Sequence, residues 1–376
     1  MAGVRHLYVH LPFCAHRCGY CDFVTLVGKH GRHERYVEAV LAELELERPL
    51  LAERVETVFL GGGTPTFTQA DALVRLLTAL PDAAETTVEA NPETVTPEVA
   101  ALLRDVGVTR VSLGAQSFQP QLLDVLERRA GPDDIRRAMH TLRDVGFDNV
   151  SLDLLYGIPG QSPSDLERDL AEALSLAPEH LSCYELEAKA GTRFTHAWGA
   201  KLERQAEAME GYFERVVETL ADAGYRWYET ANFCVSPERA GGRDLRARHN
   251  LGYWQARDYV GLGIGAVSTV AGARWRNAPS LGGYLEALER SAQPPREVEA
   301  LDDETRARER LMLGLRLDEP LELDPSLERA LDQSELDRLC SRGLIDVAGS
   351  RGRNRFIRLT ARGRPLGGGV TAAVLA

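Results

Sequence analysis

The stretch Tyr8-Val-His-Leu-Pro-Phe-Cys-Ala-His-Arg-Cys-Gly-Tyr-Cys-Asp-Phe23 carries Cys14, Cys18 and Cys21 in the pattern C-x3-C-x2-C. Spacing this tight lets one loop wrap a single metal centre. Three thiolates are one ligand short of what a structural zinc or a [4Fe–4S] cluster needs. A cluster held by three protein thiolates leaves one iron open, and an open iron can bind a further ligand.

Two other interpretations of this loop compete with the cluster. A disulfide pair with a spare thiol is disfavoured, because the chain has six cysteines in 376 residues and its start does not resemble a secretion signal. A zinc site would need a fourth ligand, which His10 or His16 could supply. The spacing resembles that of the radical S-adenosylmethionine (SAM) superfamily, in which the amino and carboxylate groups of SAM bind the open iron, and this favours a [4Fe–4S] cluster.

Length and charge limit the classes of protein to consider. A chain of 376 residues predicts two domains, and a net charge of −12 argues against broad nucleic-acid binding. No apolar run approaches the roughly 20 residues of a membrane-spanning helix. We therefore expect a cytoplasmic protein, a location that also suits an oxidation-sensitive cluster.

The first half of the chain alternates short apolar strands with amphipathic helices. The predicted strands are His6–Leu11, Thr57–Leu60, Thr87–Ala90, Arg110–Leu113, Asn149–Leu155 and His180–Leu186. This alternation predicts a parallel sheet with helical crossovers. Six units are too few for a closed eight-stranded barrel, so we predict an α/β fold with a partial (β/α)6 TIM-type barrel. Its chemistry should lie at the carboxyl ends of the strands, where the cysteine loop follows the first strand.

The pattern changes twice further along the chain. We predict a radical SAM partial barrel over 1–195, a barrel extension over 196–300, and a smaller C-terminal α+β unit of winged-helix type over 301–376. A long helix is predicted over 201–223. The Gly/Ala-rich end, Gly367–Ala376, is predicted to be frayed.

Several polar or glycine-rich motifs fall at or near the ends of the predicted strands. The run Gly61-Gly-Gly-Thr-Pro-Thr66 follows the second strand, where a triple glycine is by itself usually a tight turn but also lets a ligand approach the backbone. A carboxylate among apolar residues, such as Glu89 or Asp153, is costly to bury unless it is paired. Gln116 ends the fourth strand, and Arg128 is predicted on the helix that follows it.

Taken together, these motifs resemble the HemN/HemW family, the radical SAM proteins related to oxygen-independent coproporphyrinogen oxidase. The matching segments run from Tyr8 to about Ser268 and include the cysteine loop, the triple glycine and His249-Asn-Leu-Gly-Tyr-Trp254. The resemblance implies that SAM contacts Tyr8, Gly62, Gly63, Thr64, Glu89, Gln116, Arg128 and Asp153. It also places Tyr20 against the adenine.

Within this family, two features indicate the HemW branch of heme chaperones. The decarboxylating enzymes have a fourth cysteine where this chain has Phe23, and they carry a longer segment before the motif than the 13 residues that precede Cys14. The resemblance also associates the H-N-x-x-Y-W motif with heme, and thus His249, Tyr253 and Trp254. From the residues alone, a buried histidine with core aromatics is the favoured explanation of that motif, and only the resemblance favours heme.

Two departures weaken parts of the match. The family commonly has a histidine after the arginine of the loop beyond the fourth strand, whereas this chain reads Leu126-Glu-Arg-Arg-Ala130. It also commonly has an acid before Pro-Gly-Thr, whereas this chain has Lys189-Ala-Gly-Thr192.

The resulting expectation is a heme chaperone with a [4Fe–4S] cluster, SAM and heme as cargo, which serves a membrane-associated heme protein of respiratory type. No catalytic residue is assigned. The alternatives are an oxygen-independent coproporphyrinogen III dehydrogenase and a radical SAM enzyme with an unrelated substrate. A C-terminal arginine cluster suggests an acidic partner or a peripheral membrane contact rather than nucleic acid, and either a monomer or a homodimer is compatible with the sequence. The cluster comprises Arg351, Arg353, Arg355, Arg358, Arg362 and Arg364.

Overall fold

The computed structural model describes residues 3–187, 189, 192–198, 209–350 and 353–375. The strands in chain order are β1 His6–Leu11, β2 Phe13–Cys14, β3 Leu26–Val27, β4 Val55–Gly62, β5 Ala83–Ala90, β6 Arg110–Gln116, β7 Val150–Tyr156, β8 His180–Glu185, β9 Tyr225–Glu229, β10 Asn232–Val235, β11 Val260–Leu262, β12 Val267–Val270, β13 Ala273–Asn277, β14 Arg296–Ala300, β15 Leu321–Leu323, β16 Ile345–Ser350 and β17 Arg353–Leu359. The α-helices are His33–Glu47, Ala70–Ala79, Pro97–Asp105, Pro120–Val125, Pro132–Asp144, Pro163–Ser175, Met209–Asp222, Arg248–Trp254, Leu281–Glu289, Asp303–Gly314, Pro325–Arg329, Gln333–Ser341 and Gly367–Val374.

A nine-stranded sheet forms the centre of the molecule, in the order β11-β1-β4-β5-β6-β7-β8-β10-β9. All neighbours from β11 to β8 are parallel, whereas β10 is antiparallel to both β8 and β9. Among the described residues the terminal strands β11 and β9 do not pair with each other, so the sheet remains open. The predicted partial barrel is confirmed, and each of the six predicted strands overlaps one of β1 and β4 to β8.

The parallel strands are apolar because helices cover them. All of β6 except its last residue is buried, as expected for a strand in a sheet that is covered on both faces. The helix Ala70–Ala79 shows the matching pattern, with Leu73, Leu76 and Leu77 buried at helical spacing. The helix Pro97–Asp105 begins at a capped end, since the Thr96 hydroxyl accepts from the Val99 N–H and Pro97 occupies the first turn.

The C-terminal unit is a small α+β layer with its own apolar core. Strands β15, β17 and β16 form an antiparallel sheet, and helices from the same region pack on it. The predicted fraying of the terminus is wrong, because Gly367–Val374 is helical and buries Val370 and Val374 in that core. The helix predicted over 201–223 is present as Met209–Asp222, while 201–208 lies outside the described residues. The domain boundaries stay a prediction.

No helix in the described part of the chain is both long and apolar enough to cross a membrane.

A buried carboxylate joins the first helix to the edge of the sheet. Glu43 accepts hydrogen bonds from the Gly263 N–H at 2.8 Å, the Tyr284 hydroxyl at 2.6 Å and the Asn277 amide at 2.6 Å. Burial raises the pKa of Glu43 to about 7. Strand β11 pairs with β1 in parallel at the edge of the sheet. It ends at Leu262, one residue before Gly263, which donates to Glu43.

We predict that Glu43→Ala lowers the free energy of unfolding by on the order of 3 kcal/mol, because it leaves three buried hydrogen-bond donors without an acceptor. Urea denaturation measures the change. Glu45→Ala on the same helix is the matched control, since Glu45 is exposed and pairs only with Arg48; its effect should stay within about 0.5 kcal/mol. An equal decrease in the free energy of unfolding of the two variants would contradict the role of Glu43 in joining the first helix to the sheet.

Candidate functional site

The three cysteines of the first loop line one cavity. Cys14 ends β2, which pairs with β3 and so closes the loop onto itself. Within the loop, the Cys21 N–H donates to the Cys18 carbonyl at 3.2 Å, which makes a tight turn. Cys14, Cys18 and Cys21 are all free thiols and all line a cavity of about 530 Å³ at the carboxyl ends of the parallel strands.

The same cavity collects most of the residues that the family resemblance had singled out. These are Tyr20, Gly62, Gly63, Thr64, Glu89, Gln116, Arg128 and Asp153. Tyr8 is the exception: it lies on β1 beside a separate cavity of about 280 Å³, and its hydroxyl lies 3.1 Å from Nδ1 of His10. Residues scattered over about 140 positions of sequence are thus brought together because every parallel strand ends at this edge.

A chain of hydrogen bonds connects two of the cysteines through the cavity wall. The Thr64 hydroxyl donates to Sγ of Cys14 at 3.5 Å and accepts from the Asn91 amide at 2.9 Å. Arg128 donates to Oδ1 of Asn91 at 3.0 Å and, through its other terminal nitrogen, lies 3.7 Å from Sγ of Cys18. This relay directs polar hydrogens at two sulfur atoms, an arrangement that stabilises thiolate over thiol.

Arg128 differs slightly from its predicted position. It follows the helix Pro120–Val125 and lies beyond the helix end, after Glu127, whose φ is +56°. The turn lets the Arg128 guanidinium donate to the Gly114 carbonyl at 2.7 Å. An arginine on the helix itself would not reach the strand end in this way.

Glycines allow the backbone to come close at the cavity wall. Gly62 has φ +104°, and a Cβ on Gly63 would lie 2.6 Å from the backbone of Pro12. The bulge between Gly114 and Gln116 in β6 gives Gln116 a φ of +67°. A non-glycine residue in the left-handed region carries local strain, and such strain is common at binding sites.

Two carboxyl groups share the inner wall of the cavity. Glu89 accepts from the Gly62 N–H at 3.2 Å, and Asp153 accepts from the Ser112 hydroxyl at 3.3 Å. Burial, and then the neighbouring Asp153 carboxyl, raise the pKa of Glu89 to about 7. Burial also raises the pKa of Asp153, and the positive charge of Arg110 partly opposes that rise. Such a pair favours a cationic ligand, which would stabilise both charged forms.

Sequence reasoning missed Asn91 and Ser112, which line the cavity, and Arg110, whose charge lowers the pKa of both carboxyl groups from behind its wall. Arg110 is buried although it opens an apolar strand, and its Nε has no hydrogen-bond partner among the described residues. A buried arginine in a strand is a signal that could have been used. Asn91 comes two residues after Glu89, but only the structure shows that it joins Thr64 to Arg128.

Among the residues that the structure describes, no three His, Cys, Asp or Glu side chains converge closely enough to hold one metal ion. The three thiols surround a cavity instead. His10, a possible zinc ligand, lies 2.8 Å from the Val24 carbonyl through Nε2, and His16 lines the cysteine cavity.

The H-N-x-x-Y-W motif forms the helix Arg248–Trp254, and its histidine is buried. Nδ1 of His249 lies 2.7 Å from the Thr57 hydroxyl and Nε2 lies 2.9 Å from the Tyr253 hydroxyl, so both ring nitrogens have partners. Burial, with a smaller effect from His6, lowers the pKa of His249 to about 3. The imidazole is therefore neutral, and its role as a heme ligand stays a prediction. Tyr253 and Trp254 line a second, larger cavity that does not include His249.

Comparison with known proteins places this site in a family. The model of the radical SAM superfamily matches residues 8–173. The heme chaperone HemW of Mycobacterium tuberculosis is 35% identical, covering 98% of this chain and 94% of its own length. HemW of Bacillus subtilis is 32% identical, covering 99% of each chain. The solved structure of coproporphyrinogen III oxidase HemN from Escherichia coli, described as a radical SAM enzyme, covers 99% of this chain and 90% of its own, with a TM-score of 0.80 and 23% identity.

The extent of these matches settles the family. The chain belongs to the radical SAM superfamily and, within it, to the family of the HemW relatives. The likeness to HemN shows a shared fold and nothing more, because a fold hosts many functions.

We predict a pH effect from Glu89 in the metal-free protein. Its pKa is about 7 in the folded state against 4.5 ordinarily, so the folded state holds the proton more tightly than the unfolded state. The contribution of Glu89 to stability therefore falls as pH rises between these two values. Unfolding free energies measured across this range should fall less in Glu89→Gln than in the wild type. Glu38→Gln, at an exposed ion pair with Arg75, should keep the wild-type slope; an unchanged slope in Glu89→Gln would contradict the assignment.

Proposed function

We propose that this protein is a heme chaperone that binds a [4Fe–4S] cluster, SAM and heme, and that it delivers heme to a membrane-associated heme enzyme. The observation that carries the proposal is the 35% identity to a heme chaperone HemW across 98% of the chain. The coarser statement, that the chain is a radical SAM protein of this family, rests on the comparisons above. What it binds and delivers is our proposal.

The cysteine cavity suits a metal group that is wider than a single ion. Cys14, Cys18 and Cys21 would supply three thiolates, and the fourth iron would remain open to SAM. Burial raises the pKa of the Cys14 thiol to about 11 and raises that of Cys21 as well. The metal-free protein therefore holds these two as thiols, and loading should release protons. The relay through Thr64 and Arg128 would then stabilise the thiolates it reaches.

The remaining cavity offers complementary groups for each part of SAM. Glu89 and Asp153 would attract its ammonium group, and Arg128 would attract its carboxylate. Tyr20 lies against Phe194 with ring centroids 6.4 Å apart, which leaves an aromatic wall for adenine. The volume of about 530 Å³ lies within the usual range for a cofactor site. A bound cluster would supply one-electron reduction, and the protein would orient SAM beside it.

Two features favour the chaperone over the coproporphyrinogen enzyme. Phe23 stands where the decarboxylating relatives place a fourth cysteine, and it lines the cysteine cavity with 62% of its surface exposed. Relatives that are 32% to 36% identical to this chain share the HemW name. The HemN-like fold keeps the enzyme as the second candidate, and an assay separates the two.

Heme binding at His249 would need a local change. A neutral imidazole is the form that binds metal, but Nε2 faces the Tyr253 hydroxyl at 2.9 Å. Iron would have to displace that hydroxyl. Tyr253 and Trp254, which border a cavity, would then contact the porphyrin.

The proposal also covers the location of the protein and the surface through which it contacts a partner. We propose a cytoplasmic protein with an acidic or peripheral membrane contact through its C-terminal unit. Several arginines of the C-terminal cluster are already engaged within the chain: Arg358 pairs with Asp346, Arg355 lies near Glu328, and Arg364 lies over the Trp227 ring. Arg362 is exposed, so it would be available for the proposed contact. Arg351 lies outside the described residues.

We predict that Cys14→Ser, Cys18→Ser and Cys21→Ser each abolish the visible absorbance of anaerobically reconstituted protein. Each removes one of three thiolate ligands, whereas Cys340→Ser, in the C-terminal unit, should load normally. Reconstitution should also be more complete at higher pH, because Cys14 must lose its proton. A normal spectrum in any of the three variants would refute the ligand set.

We predict that the wild-type protein binds hemin, measured by absorbance titration, and does not convert coproporphyrinogen III when reconstituted with SAM and a reductant. His249→Gln should weaken hemin binding about tenfold or more, equal to about 1.4 kcal/mol. Tyr253→Phe should keep the affinity, since it frees Nε2. Robust conversion of coproporphyrinogen would support the coproporphyrinogen dehydrogenase function instead. Failure to bind hemin would contradict the heme chaperone function.

A further inference from the structure

A second cavity of the described structure lies away from the cysteines. It has a volume of about 850 Å³ and is lined by residues between Tyr253 and Arg274 and by the helices Asp303–Gly314 and Pro325–Arg329. Its apolar wall includes Tyr253 and Tyr259, whose rings pack edge to face with centroids 4.6 Å apart. A large cavity with an apolar wall and a few polar groups is the usual form of a small-molecule site.

The lining of this cavity carries an excess of positive charge. Five arginines line it: Arg257, Arg274, Arg306, Arg310 and Arg329. Three carboxylates accompany them: Asp258, Asp303 and Glu309. Asp324, which pairs with Arg310, and Glu56, which lies 3.9 Å from Arg257, are outside the lining and offset this excess, so an anionic ligand would depend on the arginines that are least engaged.

The arginines differ in how fully they are engaged. Arg274 binds Glu309 through two hydrogen bonds of 2.9 and 2.6 Å, and Arg310 binds Asp324 at 2.7 Å. Arg306 pairs with Asp303, one helical turn away.

Two arginines remain available for a ligand. The Nε of Arg257 donates to the Gln255 amide oxygen at 2.9 Å, and among the described residues its ion-pair partner is Glu56, 3.9 Å from one terminal nitrogen, so the outer edge of the guanidinium is only weakly engaged. Arg329 is exposed and has no ion pair within the described part of the chain. Each guanidinium can offer two parallel donors to a carboxylate. Arg257 follows the helix of the H-N-x-x-Y-W motif, whereas Arg329 belongs to the C-terminal unit.

We propose that this cavity is the heme site, with Tyr253 and Trp254 against the porphyrin and Arg257 and Arg329 binding its two propionates. The proposal rests on the proposed function and adds the location and the anion-binding residues. It also gives the C-terminal unit a role, since one propionate partner lies on each side of the boundary predicted at 300. His249 reaches this cavity only through the hydroxyl of Tyr253, which lies 2.9 Å from its Nε2.

The test compares hemin with its dimethyl ester, which has the same macrocycle without the two negative charges. Both are titrated into the full-length wild type, Arg257→Gln, Arg329→Gln and the double variant. We expect each single substitution to weaken hemin about fivefold, as for a partly exposed charged hydrogen bond, and to leave the ester unchanged. Arg342→Gln is the matched control, because Arg342 is exposed on the same unit and does not line the cavity.

A second pair of variants tests the location by charge alone. Met312 lines the cavity with 48% of its surface exposed, so a charged residue there should fold normally. Met312→Lys should strengthen hemin binding and Met312→Glu should weaken it, with little change for the ester.

The outcomes separate this proposal from the function on which it rests. If the wild type binds no hemin, the proposed function fails. If hemin binds but the arginine and Met312 variants leave its affinity unchanged, the function stands and this cavity is not the site. If the arginine variants weakened the binding of hemin and of the ester equally, the propionate assignment would be wrong. The substitutions would then have altered the shape of the cavity rather than removed an ion pair.

Discussion

Parallel pairing of six consecutive strands is the constraint on which the rest of the molecule depends. Because β1 and β4 to β8 all run the same way, their carboxyl ends meet at one edge of the sheet. The register aligns Leu11 with Gly62, so the cysteine loop begins beside the glycine loop. One edge therefore collects groups from the whole first half of the chain. The same geometry leaves the opposite edge free of these groups.

The buried ionisable groups at this edge of the sheet partly compensate one another's charge. Glu89 and Asp153 would be costly neighbours in an apolar wall, and Arg110 partly offsets that cost from within the barrel. The relay from Arg128 through Asn91 to Thr64 performs a similar task for the sulfur atoms. A wall of apolar residues would be more stable, so this arrangement is best explained by a ligand that completes the charge balance.

The two large cavities are lined by different kinds of chemical groups. One is built by strand ends and carries thiols and carboxylates, whereas the other is built by aromatic residues and arginines near the C-terminal unit. His249 belongs to neither: it is a buried connector whose partners are Thr57 on β4 and Tyr253 at the larger cavity. Such a connector couples the helix Arg248–Trp254 to the sheet. It also explains why the motif is compatible with both a structural and a ligand-binding role.

Local periodicity and short motifs predict the strands of the first half and the cysteine loop, and the family resemblance that those motifs carry implies most of the residues around the loop's cavity. The sequence misjudged the last residues, whose helix forms only by packing Val370 and Val374 into a distant core. The folded chain alone shows that Asn91 joins Thr64 to Arg128, that Tyr8 lines a different cavity, and that both ring nitrogens of His249 have partners. These facts depend on contacts between residues far apart in the chain, and no local pattern records such contacts.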